Sequence, residues 1–253
     1  MFKRNRWLWA LLLSAVYPCA QAQQPQTVYT HVAEWAVPRA QWDEFASSMQ
    51  KSSVPILEKA IANGTILEFA LTATVVHTEE GSTHTMWWAS TTFSGTQRVL
   101  AELLRATPST PGLSGKHRDR LLRSVIYNSK PAKLTSGFAY LSITSVPPGK
   151  GAQWRQYFDK YTKPVYDKLF ADGAILGYGV DVEFIHTDAP GPRFGWYLAA
   201  TGEAMDKVNE AFDAAQQAGS PQERQAAAAA LNEVSAVAGH RDALDRILVY
   251  VHK

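Results

Sequence analysis

The sequence predicts an α+β fold built from two similar halves, each with the order βαββαβ, facing one another across a shared interior. Two observations lead there. Val54–His77 can be laid over Lys163–His186 at a constant offset of 109 residues. In that register Pro55 meets Pro164, Lys59 meets Lys168, Gly64 meets Gly173, Ile66-Leu67 meets Ile175-Leu176 and His77 meets His186. The match runs on to Trp87 over Trp196. The second observation is that "GKHRDRLLRSVIY", from Gly115, returns as "GHRDALDRILVY", from Gly239, the offset having grown to 123. Agreement kept in one register over so many positions points to an internal duplication.

The N-terminal residues stand apart from these halves. Lys3, Arg4 and Arg6 precede the apolar run Trp7–Val16, and Ala20-Gln21-Ala22 supplies a small-x-small site. The run is about ten residues, against the roughly 20 needed to span a bilayer. Residues 1–22 therefore read as a secretory signal, with export to a periplasmic or extracellular location and no membrane span after cleavage. Cleavage would remove Cys19, the only cysteine, so the mature chain has no disulfide or thiolate site to draw on. It would also leave 22 basic against 23 acidic residues. That balance gives no electrostatic footprint for nucleic acid.

Residues 23–130 form the first unit and 131–253 the second. In the first, Val28–Ala36 is a short strand stopped by Pro38. Arg39–Ala62 has helical spacing, with Trp42, Phe45, Met49, Ile56 and Leu57 on one stripe. Asn63-Gly64 supplies the left-handed stop. Residues 65–77 and 84–93 are β-rich runs around the turn "TEEGST". Thr96–Arg105 is helical. A short helix carrying His117-Arg118-Asp119 then leads into a last strand, Ser124–Asn128. The second unit repeats this order, with an alanine-rich helical stretch from Pro221 to Ala238 and His240-Arg241-Asp242 before its last strand.

The βαββαβ order is that of the ferredoxin-like unit. Helices cover only one face of such a sheet, and a second copy covers the other. Duplicated in one chain and packed sheet to sheet, the sequence resembles a pseudo-dimeric member of the dimeric α+β-barrel superfamily. That resemblance implies a choice of functions, among them cofactor-independent monooxygenases and haem-handling enzymes, with haem as a possible cofactor. It brings no catalytic motif, and a fold does not fix a function.

His-Arg-Asp is also a kinase catalytic-loop tripeptide, but no Gly-rich phosphate loop or DFG accompanies it. No HExxH, CxxC, GxSxG or P-loop pattern occurs, and no metal site is assigned. Both His-Arg-Asp segments fall at corresponding places in the repeat, which favours a structural role as helix caps. Strand alternation gives the candidate interior instead. On the second strand of each unit Phe69 and Leu71, or Tyr178 and Val180, face the helices. Glu68, Ala70, Thr72 and Thr74, or Gly177, Gly179, Asp181 and Glu183, then face inward. Tyr29 and His31, Tyr140, Trp88 and Tyr197 are placed inside by the same reading, with Trp87 and Trp196 on the helix side.

The expected pocket is thus Tyr29, His31, Trp88, Tyr140, Asp181, Glu183 and Tyr197, aromatic walls with a few convergent polar groups. His31 is the best catalytic candidate, as a base beside two carboxylates or as an axial ligand. Three functions fit: an exported protein that binds a small molecule, an oxygenase or haem-handling enzyme, or an interaction protein using Gln222–Ala238.

Overall fold

A computed structural model describes residues 27–76, 81–106, 116–186 and 191–253. Residues 1–22, expected to be a secretory signal, His77, half of the first hairpin turn and residues 107–115 lie outside the described residues. The elements run β1 (Tyr29–Ala36), a 3-10 turn (Arg39–Gln41), α1 (Trp42–Ser52), α2 (Val54–Ala62), β2 (Glu68–Thr74), β3 (His84–Ser90), α3 (Phe93–Ala106) and β4 (Lys116–Ser129). Then follow β5 (Ala132–Leu134), β6 (Phe138–Ser145), α4 (Gly151–Tyr157), a π turn (Phe158–Thr162), α5 (Lys163–Ala171), β7 (Gly177–Glu183), β8 (Pro192–Ala199), α6 (Gly202–Gln217), α7 (Pro221–Val234) and β9 (Ala236–His252).

The helix expected over 39–62 breaks at Ser53, because Pro55 has no N–H to give to the preceding turn and instead occupies the first turn of α2. Gly64 and Gly173 end the helical segments of the two halves at φ +74° and +75°, as the sequence indicated.

All strand pairings are antiparallel, in the order β2-β3-β1-β4-β7-β8-β6-β9, and β9 pairs with β2 to close an eight-stranded barrel. β5 adds a short ladder on β9. The expectation of two sheets packed face to face is corrected here. The ladders β4–β7 and β9–β2 join the sheet edge to edge, which satisfies main-chain groups that stacked sheets would leave exposed.

A second correction concerns His-Arg-Asp. Both copies lie on long strands, not in short helices. β4 stays paired with β1 out to Lys116, setting His117 opposite Trp35 and Asp119 opposite Ala33. β9 pairs Asp242 with Ser142 and Arg241 with Ile143 on β6. A continuous ladder offers these residues more hydrogen bonds than a helix of one turn could.

Two apolar clusters lie between the helices and the outside of the barrel. One holds Phe45, Leu57, Ile61, Phe69, Leu71 and Trp88, the other Trp154, Phe158, Leu169, Tyr178, Val180 and Tyr197. A third and smaller cluster, Ala70, Leu198, Ile247 and Tyr250, fills part of the barrel interior. Among the described residues no helix is long and apolar enough to cross a membrane.

Candidate functional site

Closure of the barrel leaves a cavity of about 460 Å³ on its inner face. Strand register decides which residues reach it. On β1, Thr30, Val32 and Glu34 line it, and on β2, Glu68, Thr72 and Thr74. β3 and β8 contribute Trp87 and Trp196, β4 Arg120 and Leu122, β7 Asp181, and β9 Arg241 and Asp245.

Asp181 is one of several perturbed groups that face the cavity. Ser124 Oγ donates to its Oδ1 at 2.6 Å and Trp196 Nε1 to its Oδ2 at 3.0 Å. Burial pushes its pKa up to about 7, and the two hydrogen bonds only partly offset this. Glu68 is also fully enclosed. Its Oε2 accepts from Tyr250 OH at 2.8 Å and from Ser129 Oγ at 3.2 Å, and burial again raises its pKa. Asp245 accepts from Thr72 Oγ1 at 2.6 Å and is raised by burial too. Glu34 is likewise raised by burial, against the pull of Arg120, with which it forms an ion pair.

Trp196 can lie flat against β7 because of glycine. A Cβ on Gly179 would stand 2.6 Å from the Trp196 ring and 2.6 Å from the Ile126 carbonyl. The ring therefore occupies the volume that any other residue at 179 would claim, with its N–H on Asp181.

Of the pocket expected from sequence, Asp181 and Glu183 are on the inner face. Asp181 lines the cavity, and Glu183 is 5% exposed with Oε2 lacking any hydrogen-bond partner. The remaining placements are corrected. His31 points to the helix side, stacked on Trp88 at 4.3 Å, with its Nε2 3.1 Å from Asp119 Oδ1. Trp88 joins the helix-side cluster and donates from Nε1 to the Thr96 carbonyl of α3 at 3.1 Å. Tyr29 packs edge-on to Phe93 and Phe184. Tyr140 touches the cavity as expected, but its ring stacks on Tyr197 at 4.9 Å, where both pack in the second helix-side cluster.

The common cause is strand phase. β1, "YTHVAEWA", and the adjacent Trp87-Trp88 carry large side chains on both faces, so alternation cannot say which face the helices cover. Trp87 and Trp196 are consequently the inner residues that the sequence misassigned. Gly177 and Gly179, opposite Leu198 and Trp196 across the β7–β8 ladder, were the available signal.

The repeated tripeptide is explained by the same alternation. Its Arg faces inward and its His and Asp pair with each other on the opposite face, Asp242 also touching the cavity. Asp119 takes His31 and, at 3.3 Å, His117, and Asp242 takes the Tyr140 hydroxyl at 2.7 Å and His240 at 3.3 Å. Burial alone would raise the Asp119 pKa, but the His31 hydrogen bond and the two imidazoles hold it below the usual range. Arg241 lines the cavity, and Arg118 stands opposite Glu34.

Haem does not fit these residues. Among the described residues the cavity lining contains no His, Cys or Met, and the imidazole of His31 is enclosed between Trp88 and Asp119 on the other side of the sheet. Among the described residues no group of three or more His, Cys, Asp or Glu side chains is arranged to hold a metal.

No family model matches the sequence, and no curated protein matches it. Solved structures do. A proposed monooxygenase from Fusobacterium nucleatum subsp. nucleatum ATCC 25586 superimposes with a TM-score of 0.58 at 9% identity, over 90% of this chain and 95% of its own. A proposed monooxygenase from Lactobacillus acidophilus NCFM gives 0.58 at 9% identity, over 89% and 96%. An anthrone oxidase-like protein gives 0.53 at 10% identity, over 90% and 94%. The chain shares with these structures the dimeric α+β-barrel fold.

Proposed function

We propose that this protein encloses a small organic molecule inside the barrel and acts on it as an oxygenase-type enzyme, with Asp181 taking up the substrate's proton. The observation that carries the reading is a buried carboxylate, titrating near pH 7, on the wall of a cavity flanked by two indoles. A base poised near the working pH removes a proton most effectively, and exclusion of water strengthens its hold on the product charge. An electron-rich substrate anion held beside Asp181 is the species that donates electrons to dioxygen. The names of the structural neighbours, monooxygenase and anthrone oxidase-like, support this reaction class by analogy of fold. In this reading His31 is a positioning group for Asp119 rather than the base.

The test is dioxygen consumption with anthrone-type substrates. Wild-type rates should rise with pH through about 7 as Asp181 ionises. Asp181→Asn should abolish turnover while leaving substrate binding measurable. Turnover that survives this substitution would assign the proton transfer elsewhere.

The chain is also proposed to be a fused duplication of a ferredoxin-like unit, joined near residue 130. Supporting this are the 109-residue register and the matching strand orders, β2-β3-β1-β4 and β7-β8-β6-β9. Export, with cleavage after Ala22, is supported by the order of basic, apolar and small residues at the N-terminus. N-terminal sequencing of secreted protein that still began at Met1 would reject it.

A further inference from the structure

The cavity is charged in an unbalanced way, and the imbalance identifies a ligand class. Glu68 and Asp181 accept hydrogen bonds only from neutral donors, namely the hydroxyls of Tyr250, Ser129 and Ser124 and the indole of Trp196. Among the described residues no Lys or Arg is bonded to either. Of the guanidinium groups on the lining, Arg120 is held by Glu34, and Arg241 is exposed on the lining. His252, opposite Glu68 on β9, acts on it through space without a hydrogen bond. An independent observation comes from Glu183, two residues beyond Asp181 on the same inner face. It is 95% buried by its 5% exposure, and one carboxylate oxygen has no partner at all. Buried carboxylates of this kind are normally paired with a cation.

We infer that the barrel cavity recognises a planar, largely apolar molecule carrying a protonated amine, whose ammonium supplies the missing countercharge to Glu68 and Asp181 while its body lies against Trp87 and Trp196. This rests on the reading that the cavity is the small-molecule site, and narrows it to a substrate class. An ammonium offers donors for carboxylate oxygens, and the faces of indole rings attract cations. A carboxylate ligand meets the reverse situation: it would enter beside Glu68, Asp181 and Asp245, with Arg120 committed to Glu34 and only Arg241, exposed on the lining, to offset them. Such like-charge placement discriminates as strongly as attraction does.

The experiment compares three isosteric probes on the purified wild-type protein by isothermal titration calorimetry: 1-naphthylmethylamine, 1-methylnaphthalene-type neutral analogues and 1-naphthoate. The amine should bind at least about tenfold tighter than the neutral probe, and the carboxylate should not bind. Repeating the amine titration in buffers of different ionisation enthalpy should show a proton released on binding near neutral pH, as the ammonium favours the charged form of the carboxylates. Glu68→Gln should erase the preference for the amine over the neutral probe. Equal binding of amine and neutral probe, or preferential binding of naphthoate, overturns the charge assignment but leaves the cavity as a binding site. Failure of all three to bind overturns the cavity reading and this inference together. The wild-type comparison decides the matter even where Glu68→Gln does not fold.

Discussion

Replacing Asp181 by Asn tests whether the cavity wall holds a carboxyl group against its ionisation. The ordinary carboxyl value is 3.8, and in the folded protein it is about 7. Below the lower value the group is protonated in both the folded and unfolded chain, and its titration costs nothing. Between the two values the unfolded chain releases the proton while the folded chain keeps it, so stability falls as pH rises. Above about pH 7 the loss is complete. A separation of about three units, at about 1.4 kcal/mol each, makes it about 4 kcal/mol.

Asn imitates the protonated form. Its amide can donate to Ser124 and its carbonyl can accept from Trp196, in the places of Oδ1 and Oδ2. Asp181→Asn should therefore match wild type at about pH 4 and exceed it by up to about 4 kcal/mol at about pH 8. Urea unfolding followed by circular dichroism at several pH values gives the difference profile. Glu68, Glu34 and Asp245 also titrate, but they are common to both proteins and largely cancel. Parallel profiles would refute the reasoning, because they would mean that Asp181 is ionised in the fold at no special cost.

Asp119→Ala should cost about 1–3 kcal/mol, since it strands the buried His31 donor. Asp242→Ala should cost only about 0.5–1.5 kcal/mol, because water replaces it on the exposed Tyr140 hydroxyl. Chemical denaturation of both variants checks the asymmetry. Gly179→Ala should lose about 1–3 kcal/mol and shift tryptophan fluorescence, because its methyl group displaces the Trp196 ring. Arg120→Met should lose about 3 kcal/mol, the low end for breaking a buried pair, since both partners keep some contact with solvent. Neutralising Glu34 as well, in a double variant with Gln, should recover much of that loss.

The sequence reads well where one side of a strand is uniform. On β2 and β7 the apolar series Phe69, Leu71 and Tyr178, Val180 is unambiguous, so Glu68 and Asp181 are correctly turned inward. On β1, β3, β6 and β8 both faces carry large or β-branched residues. There the decision belongs to contacts between distant segments, such as Trp88 with Thr96 or His31 with Asp119. The His-Arg-Asp segments illustrate the same limit. Their local preference is weak, and the ladder that makes them strands comes from β1 and β6, about 85 to 100 residues earlier. A repeat is visible in one dimension, whereas the edge-to-edge closure that follows is a property of three.

The seam between β2 and β9 also sets a timetable. The hydroxyl of Tyr250 reaches Glu68 across 182 residues of intervening chain, and the ladder around it completes the barrel. Contacts so distant in sequence form slowly, after the local hairpins and helices, because loop closure must be met before any gain arrives. The pocket therefore comes into being at the end of folding rather than along the way. A refolding chain should regain its helical signal first and its capacity to hold a ligand later. A ligand that binds only the closed form would act as a latch, slowing the reopening of that seam in proportion to its affinity.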